Sequence, residues 1–160
     1  MTIPKQAKLI ITLCCLCGLM AACNKFGAIG DTINFRTTKP QLETAIDSLY
    51  AKYPQYKLPA KWAKYNNFPV KNPEYLETKI FYFKSQPEEM YYISLIDDSV
   101  MTGDSARTGL AIRAVNRGDG TLLKEDNIDF EDGKRMEKRF NDEIVSKLEA
   151  LTKTKAKEEE

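Results

Sequence analysis

Every thiol in the chain, Cys14, Cys15, Cys17 and Cys23, lies within its first 23 residues. Histidine is absent altogether, which excludes imidazole general bases, Ser-His-Asp triads and nearly every zinc site. No Gly-x-Ser-x-Gly elbow, Walker-type phosphate loop or dinucleotide-binding glycine pattern occurs. Serines, lysines and acids are present, but no spacing among them singles out a dyad or a carboxylate pair. What stands out instead is a stretch suited to binding. Residues 48–73 hold Tyr50, Tyr53, Tyr56, Trp62, Tyr65 and Phe68 with Lys52, Lys57, Lys61, Lys64 and Lys71, and no acid at all. Ring faces beside ammonium groups suit a polyanionic glycan, a lipid headgroup or an acidic protein surface. The structural alternative is that the aromatics plug a sheet edge and the lysines form a solvated rim.

Two further segments carry acids. Glu125, Asp126, Asp129, Glu131 and Asp132, with Asn127 among them, offer oxygen ligands. The calcium-loop register fails, however, because a glycine at loop position six would put Ile128 or Val115 at position one. Helix-start chemistry accounts for the same acids. The stretch Asp97 to Ser105, with Asp98, Gly103 and Asp104, reads as a mobile hairpin loop or a partner-binding tip.

The N-terminus has the order of a targeting signal. Lys5 and Lys8 precede an uncharged run of 14 residues, Leu9 to Ala22. That is short of the about 20 residues needed to span a bilayer, but it suits the apolar region of a secretory signal ending in small residues. Leu19-Met20-Ala21-Ala22-Cys23 resembles the lipobox of bacterial lipoprotein signal peptides, in which the cysteine becomes the acylated first residue of the mature protein. Met20 departs from the leucine most frequent at its position. The resemblance implies a cleaved signal over residues 1–22, lipid attachment at Cys23 and a bacterial envelope location. By the sorting rule of such lipoproteins, Asn24 rather than aspartate after the cysteine favours the outer membrane, facing the periplasm. Residues 23–32 would form a lipidated tether, with Gly27 and Gly30 giving flexibility and the nine residues after Cys23 reaching at most about 30 Å.

Cleavage would remove Lys5 and Lys8 and no acid, leaving 22 basic against 23 acidic side chains in 138 residues. A nearly neutral envelope domain is not expected to meet nucleic acid. Cys23 would be the only remaining cysteine, with its sulfur consumed by lipid, so stability must come from an apolar core. The part set aside for that core, residues 33–152, is enough for one domain burying roughly two-thirds of its unfolded surface.

The elements that position these residues follow from periodicity. A strand is expected over Thr32 to Thr37, then a helix capped by Thr38 and Gln41 with Pro40 in its first turn. Leu42, Ala45, Ile46, Leu49, Tyr50 and Tyr53 share a face and Pro54 ends the helix. Residues 55–77 are irregular. Strands at Thr78 to Lys84 and Met90 to Ile96 form a hairpin, followed by Gly109 to Asn116 and a short strand at Thr121 to Lys124. Glu131 to Thr152 reads as a helix with Met136, Phe140, Ile144, Leu148 and Leu151 on one stripe and with Glu143–Lys147 and Glu149–Lys153 pairs. Residues 153–160 are expected to form a frayed charged tail.

These elements imply an α+β two-layer sandwich, an antiparallel sheet of four or five strands with two helices on one face. The composition points to a non-catalytic binding or assembly module without cofactor or metal. Its expected partners are the membrane through acyl chains and an envelope protein, with an anionic glycan or lipid, or an incoming toxin met by an immunity-type inhibitor, as alternatives. The candidate surface is Tyr53, Tyr56, Lys57, Lys61, Trp62, Lys64 and Tyr65.

Overall fold

The structure is a computed structural model that describes residues 27–66, 78–97 and 106–158. The signal segment, Cys23 and the first tether residues lie outside the described residues, as do Phe68, Lys71 and most of the Asp97 to Ser105 loop.

The first helix forms where its caps place it. β1 (Ile29–Phe35) is followed by α1 (Lys39–Lys52), with Pro40 in the first turn. Gln41 Oε1 accepts from the Thr38 N–H at 3.2 Å, satisfying one of the donors a helix start leaves unpaired. Leu42, Ala45, Ile46 and Leu49 are buried. Two short 3₁₀ turns, Pro54–Tyr56 and Ala60–Tyr65, come next. Pro54 opens the first and Pro59 precedes the second, so neither can extend backwards into a longer helix.

β2 (Thr78–Phe83), β3 (Glu89–Asp97) and β4 (Thr108–Arg117) form an antiparallel meander, and the short β5 (Leu122–Leu123) pairs with β4. The sheet order is β2-β3-β4-β1-β6, where β6 is Lys157–Glu158. One face of the sheet carries Phe35, Phe81, Tyr91, Ile93, Leu95, Leu110 and Val115, packed with the apolar stripes of α1 and the C-terminal helical segment. The fold is thus an α+β sandwich with its main core between sheet and helices.

The C-terminal segment is not one regular helix. α2 (Phe130–Phe140) passes through a π-turn, Asn141–Val145, into α3 (Ser146–Thr152). Met136, Phe140, Ile144 and Leu148 are fully buried. Residues four apart on an α-helix drift by about 40° per step. The wider π-turn takes up that drift and keeps all four side chains on the sheet.

Three expectations about the chain ends are corrected. β1 begins at Ile29, within the stretch read as a flexible tether. Gly30, at φ 75°, forms an irregularity between Ile29 and Ile33, and a side chain there would stand 2.5 Å from Glu137 Oε1. The conformational freedom of Gly30 thus serves a fixed bend, and the Asp31 N–H donates to Glu137 Oε1 at 3.0 Å. Beyond α3 the chain is not frayed through residue 158. Lys153 turns it back in the left-handed conformation, and Asn34 and Ile33 pair with Lys157 and Glu158. Finally, Glu149 bonds Lys155 Nζ and the Ala156 N–H, both at 2.9 Å, rather than Lys153.

Candidate binding surface

The acid-free aromatic segment is a strap around the β2 edge of the sheet. Its first part lies on the helix side. The Tyr56 ring is 5.7 Å from Phe83 and 6.4 Å from Tyr53, and Tyr56 is buried in the main core. The Tyr56 hydroxyl donates to Glu143 Oε2 at 3.1 Å. Burial first, and the Glu143 carboxylate second, push the Tyr56 phenol up to about 12. Lys147 Nζ stands 5.5 and 5.4 Å from the Tyr53 and Tyr56 rings and donates to the backbone oxygen of Glu143. The expected Glu143–Lys147 carboxylate pair is replaced, since Glu143 Oε1 takes Arg139 Nε at 3.2 Å.

At the sheet edge the Tyr50 hydroxyl donates to the Ile80 carbonyl at 2.8 Å, covering a polar group of the outermost strand. The second half of the strap then crosses to the face opposite the helices. There Leu58, Trp62 and Tyr65 pack on a separate core of Tyr82, Met90, Tyr92 and Ala114. The Tyr92 hydroxyl donates to the Tyr65 carbonyl at 3.2 Å. The strap therefore plugs the edge and also forms a partial third layer that covers Met90 and Tyr92 of β3, while Ile96 farther along packs with Ala28 and Ala111.

Lysine positions divide into two kinds. Lys61 Nζ lies 2.8 Å from Glu88 Oε1, which also accepts from Trp62 Nε1 at 3.0 Å and from the Tyr82 hydroxyl. Glu88 comes from the β2–β3 turn, 27 positions from Lys61 along the chain. It neutralises Lys61 and fixes the Trp62 indole, so Lys61 is a fastener more than a free cation. Lys64 is exposed, with Nζ 4.9 Å from the Tyr65 ring. Lys57 is exposed beside an open cleft of about 360 Å³ lined by Tyr50, Leu58, Asn66, Ile80 and Tyr92. No carboxylate pairs with Lys57 or Lys64 among the described residues. Of the seven expected surface residues, these two lysines present charge outward. The ring faces are occupied by the sheet or by the chain's own lysines, which leaves little open face for stacking a sugar.

Lys61 first, then Tyr82 and Trp62, hold the Glu88 carboxyl down at about 2. A depressed folded-state value means that its stabilisation is fully present above the ordinary carboxyl value of 4.5 and is lost as pH falls through about 2. Trp62 is the sole tryptophan, so its fluorescence reports the strap directly. The emission is expected to change between pH 4.5 and 2, and Glu88→Gln is expected to show the loosened signal at neutral pH. A flat profile together with a normal Glu88→Gln signal would show that packing alone holds the strap.

Among the described residues a buried ionic cluster lies on the helix side, and nothing in the local sequence marks it. Glu89 is fully buried. Arg135 Nη2 lies 2.7 Å from its Oε1, while its Oε2 accepts from Arg139 Nη1 at 2.9 Å, the Tyr91 hydroxyl at 3.0 Å and Arg135 Nη1 at 3.2 Å. The Glu89 bonds raise the Arg135 guanidinium further above its ordinary value. Arg139 also donates to the Pro87 and Ser85 carbonyls and stacks over Phe83 at 4.7 Å. Both carboxylate oxygens are occupied, so Glu89 locks α2 to the β2–β3 turn and is not placed to accept a proton from a substrate.

The acids at the start of α2 act mainly as caps and ion-pair partners. Asp129 Oδ1 accepts from the Asp132 N–H at 2.8 Å, and Asp132 pairs with Arg117 and Arg135. Among the described residues, no group of three or more His, Cys, Asp or Glu gathers to hold a metal ion. Nor is any helix among them long and apolar enough to cross a membrane. No family model matches this chain, and no curated protein or solved structure matches it either.

Proposed function

We propose that the chain is a non-catalytic lipoprotein of the bacterial envelope, anchored by acyl chains on Cys23, whose domain binds an acidic surface of an envelope protein through its strap. The observation that carries this reading is the division within the strap: aromatic rings turned onto the sheet, Lys57 and Lys64 turned outward with no acid paired to them among the described residues. A platform fixed at Glu88, Tyr92 and Tyr50 holds those charges in place before a partner arrives, which lowers the ordering cost of binding. The saturation of Glu89 supports a role other than catalysis.

The reading is tested by placing a photo-crosslinking amino acid at position 57 or 64 in intact cells, with exposed Asp47 on α1 as the control position. A discrete protein adduct is expected from 57 and 64 only, and Lys64→Glu should remove the adduct formed from 57. No adduct, or equal adducts from position 47, would refute the strap as the interface. Adducts to lipid or glycan would transfer the role to an anionic headgroup or polymer, for which affinity should fall steeply with salt because exposed charges are screened within about 10 Å at 0.1 M.

A further inference from the structure

We infer that the start of α2, around Phe130, is the face on which the domain rests against the bilayer; this rests on the acyl anchor proposed at Cys23. Phe130 is the one large apolar side chain strongly exposed among the described residues, at 72%. It lines a cavity of about 200 Å³ with Ala28, Ile29, Ile128 and Gly133. Ala28 and Ile29 are the first apolar residues after the tether, so the chain enters the domain beside this ring. Four peptide steps separate Cys23 from Gly27 and reach at most about 14 Å. An anchored domain therefore holds the Phe130 face close to the headgroups.

Charges of both signs surround the ring, with Asp31, Glu125, Asp129 and Glu137 lining the cavity beside Lys134. Lys134 Nζ stands 5.9 Å from the Phe130 ring on a largely exposed side chain, from which it can reach a lipid phosphate. Of the neighbouring acids three have partners within the domain, while Asp126 and Glu131 are exposed, so the surface suited to this face is a zwitterionic one. Asp129 caps α2, Glu137 accepts from the Asp31 N–H and from Lys134, and Glu125 lies on the Arg113 side of Gly27. A single phenyl ring would not hold a free domain on a membrane. On a domain already tethered at high effective concentration, its burial is enough to favour one orientation by about tenfold or more.

The test uses the lipoprotein purified from membranes, carrying Trp62→Phe with either Phe130→Trp or Asp47→Trp, in phosphatidylcholine and phosphatidylethanolamine vesicles with brominated acyl chains. The indole introduced at position 130 is expected to emit at shorter wavelength and to be quenched several-fold more by the bromines than the indole introduced at 47. Equal quenching at the two positions, or an indole at 130 as open to iodide with vesicles as without, would overturn the inference. Shielding of that indole in detergent solution with a concentration-dependent dimer would overturn it too, in favour of a second copy. Anchoring is read separately, from the mass of the Cys23 peptide. If that peptide carries no acyl chain, the functional proposal fails, and coupling the Cys23 thiol of the chain from residue 23 to a maleimide phospholipid restores the same tether length. The same comparison of positions 130 and 47 then decides the orientation.

Discussion

Glu89→Ala is expected to destabilise the domain by about 3 to 5 kcal/mol, because it leaves two guanidinium groups facing a buried hole where their carboxylate had been. Arg139 is the more costly of the two, since its side chain is only 11% exposed. Arg135 sits nearer to water and keeps Asp132 as a partner, whereas Arg139 keeps Glu143 and the Pro87 and Ser85 carbonyls but stays enclosed. Glu89→Gln retains the shape but turns amide hydrogens toward donors, and should fall between the alanine variant and the native protein. Urea unfolding measures both, with an unchanged slope showing that the midpoint shift is a stability change. A loss below about 1 kcal/mol for Glu89→Ala would mean that both arginines swing to solvent and that the cluster contributes little. Replacing the whole cluster by apolar residues of matching volume should be far better tolerated than removing its acid alone.

The second large effect is all-or-none. Cys23→Ser should abolish uptake of labelled fatty acid and shift the protein out of the mature membrane-bound form, as released or unprocessed chain. Serine preserves the size of the residue and removes the sulfur that would carry the lipid. Each buried methylene contributes about 0.8 kcal/mol and stable anchoring takes more than one chain, so no surface contact of the domain could substitute. Continued labelling of Cys23→Ser would place the lipid elsewhere and end the lipobox reading.

Local rules made much of the fold legible. Thr38 and Gln41 mark the start of α1, Pro54 its end, and Tyr91, Ile93 and Leu95 the helix-facing side of β3. The same alternation puts Met90 and Tyr92 on the opposite side, where alternation alone says nothing about a cover. The return of Leu58, Trp62 and Tyr65 from far along the chain, with Ile80 and Leu122 beside them, buries Met90 and Tyr92. Lys61 and Glu88 likewise meet across 27 positions, a separation that no helical or strand period encodes. The strap was therefore visible as an acid-free run, while the neutralisation of Lys61 was not. Lys157–Glu158 lacks any apolar alternation, and its pairing depends on the turn at Lys153 and the grip of Glu149.

The position of β1 between β4 and β6 also bears on how the domain carries mechanical load. A pull arriving through the residues ahead of Gly27 runs along β1, which β6 flanks at Ile33 and Asn34. The β1–β4 ladder, paired at Ile29 and again from Ile33 to Phe35, would resist in shear, with those pairs sharing the tension. The strap rests on β2, β3 and Ala114 of β4, so strain arising in β1 reaches the Lys57 and Lys64 platform only through β4.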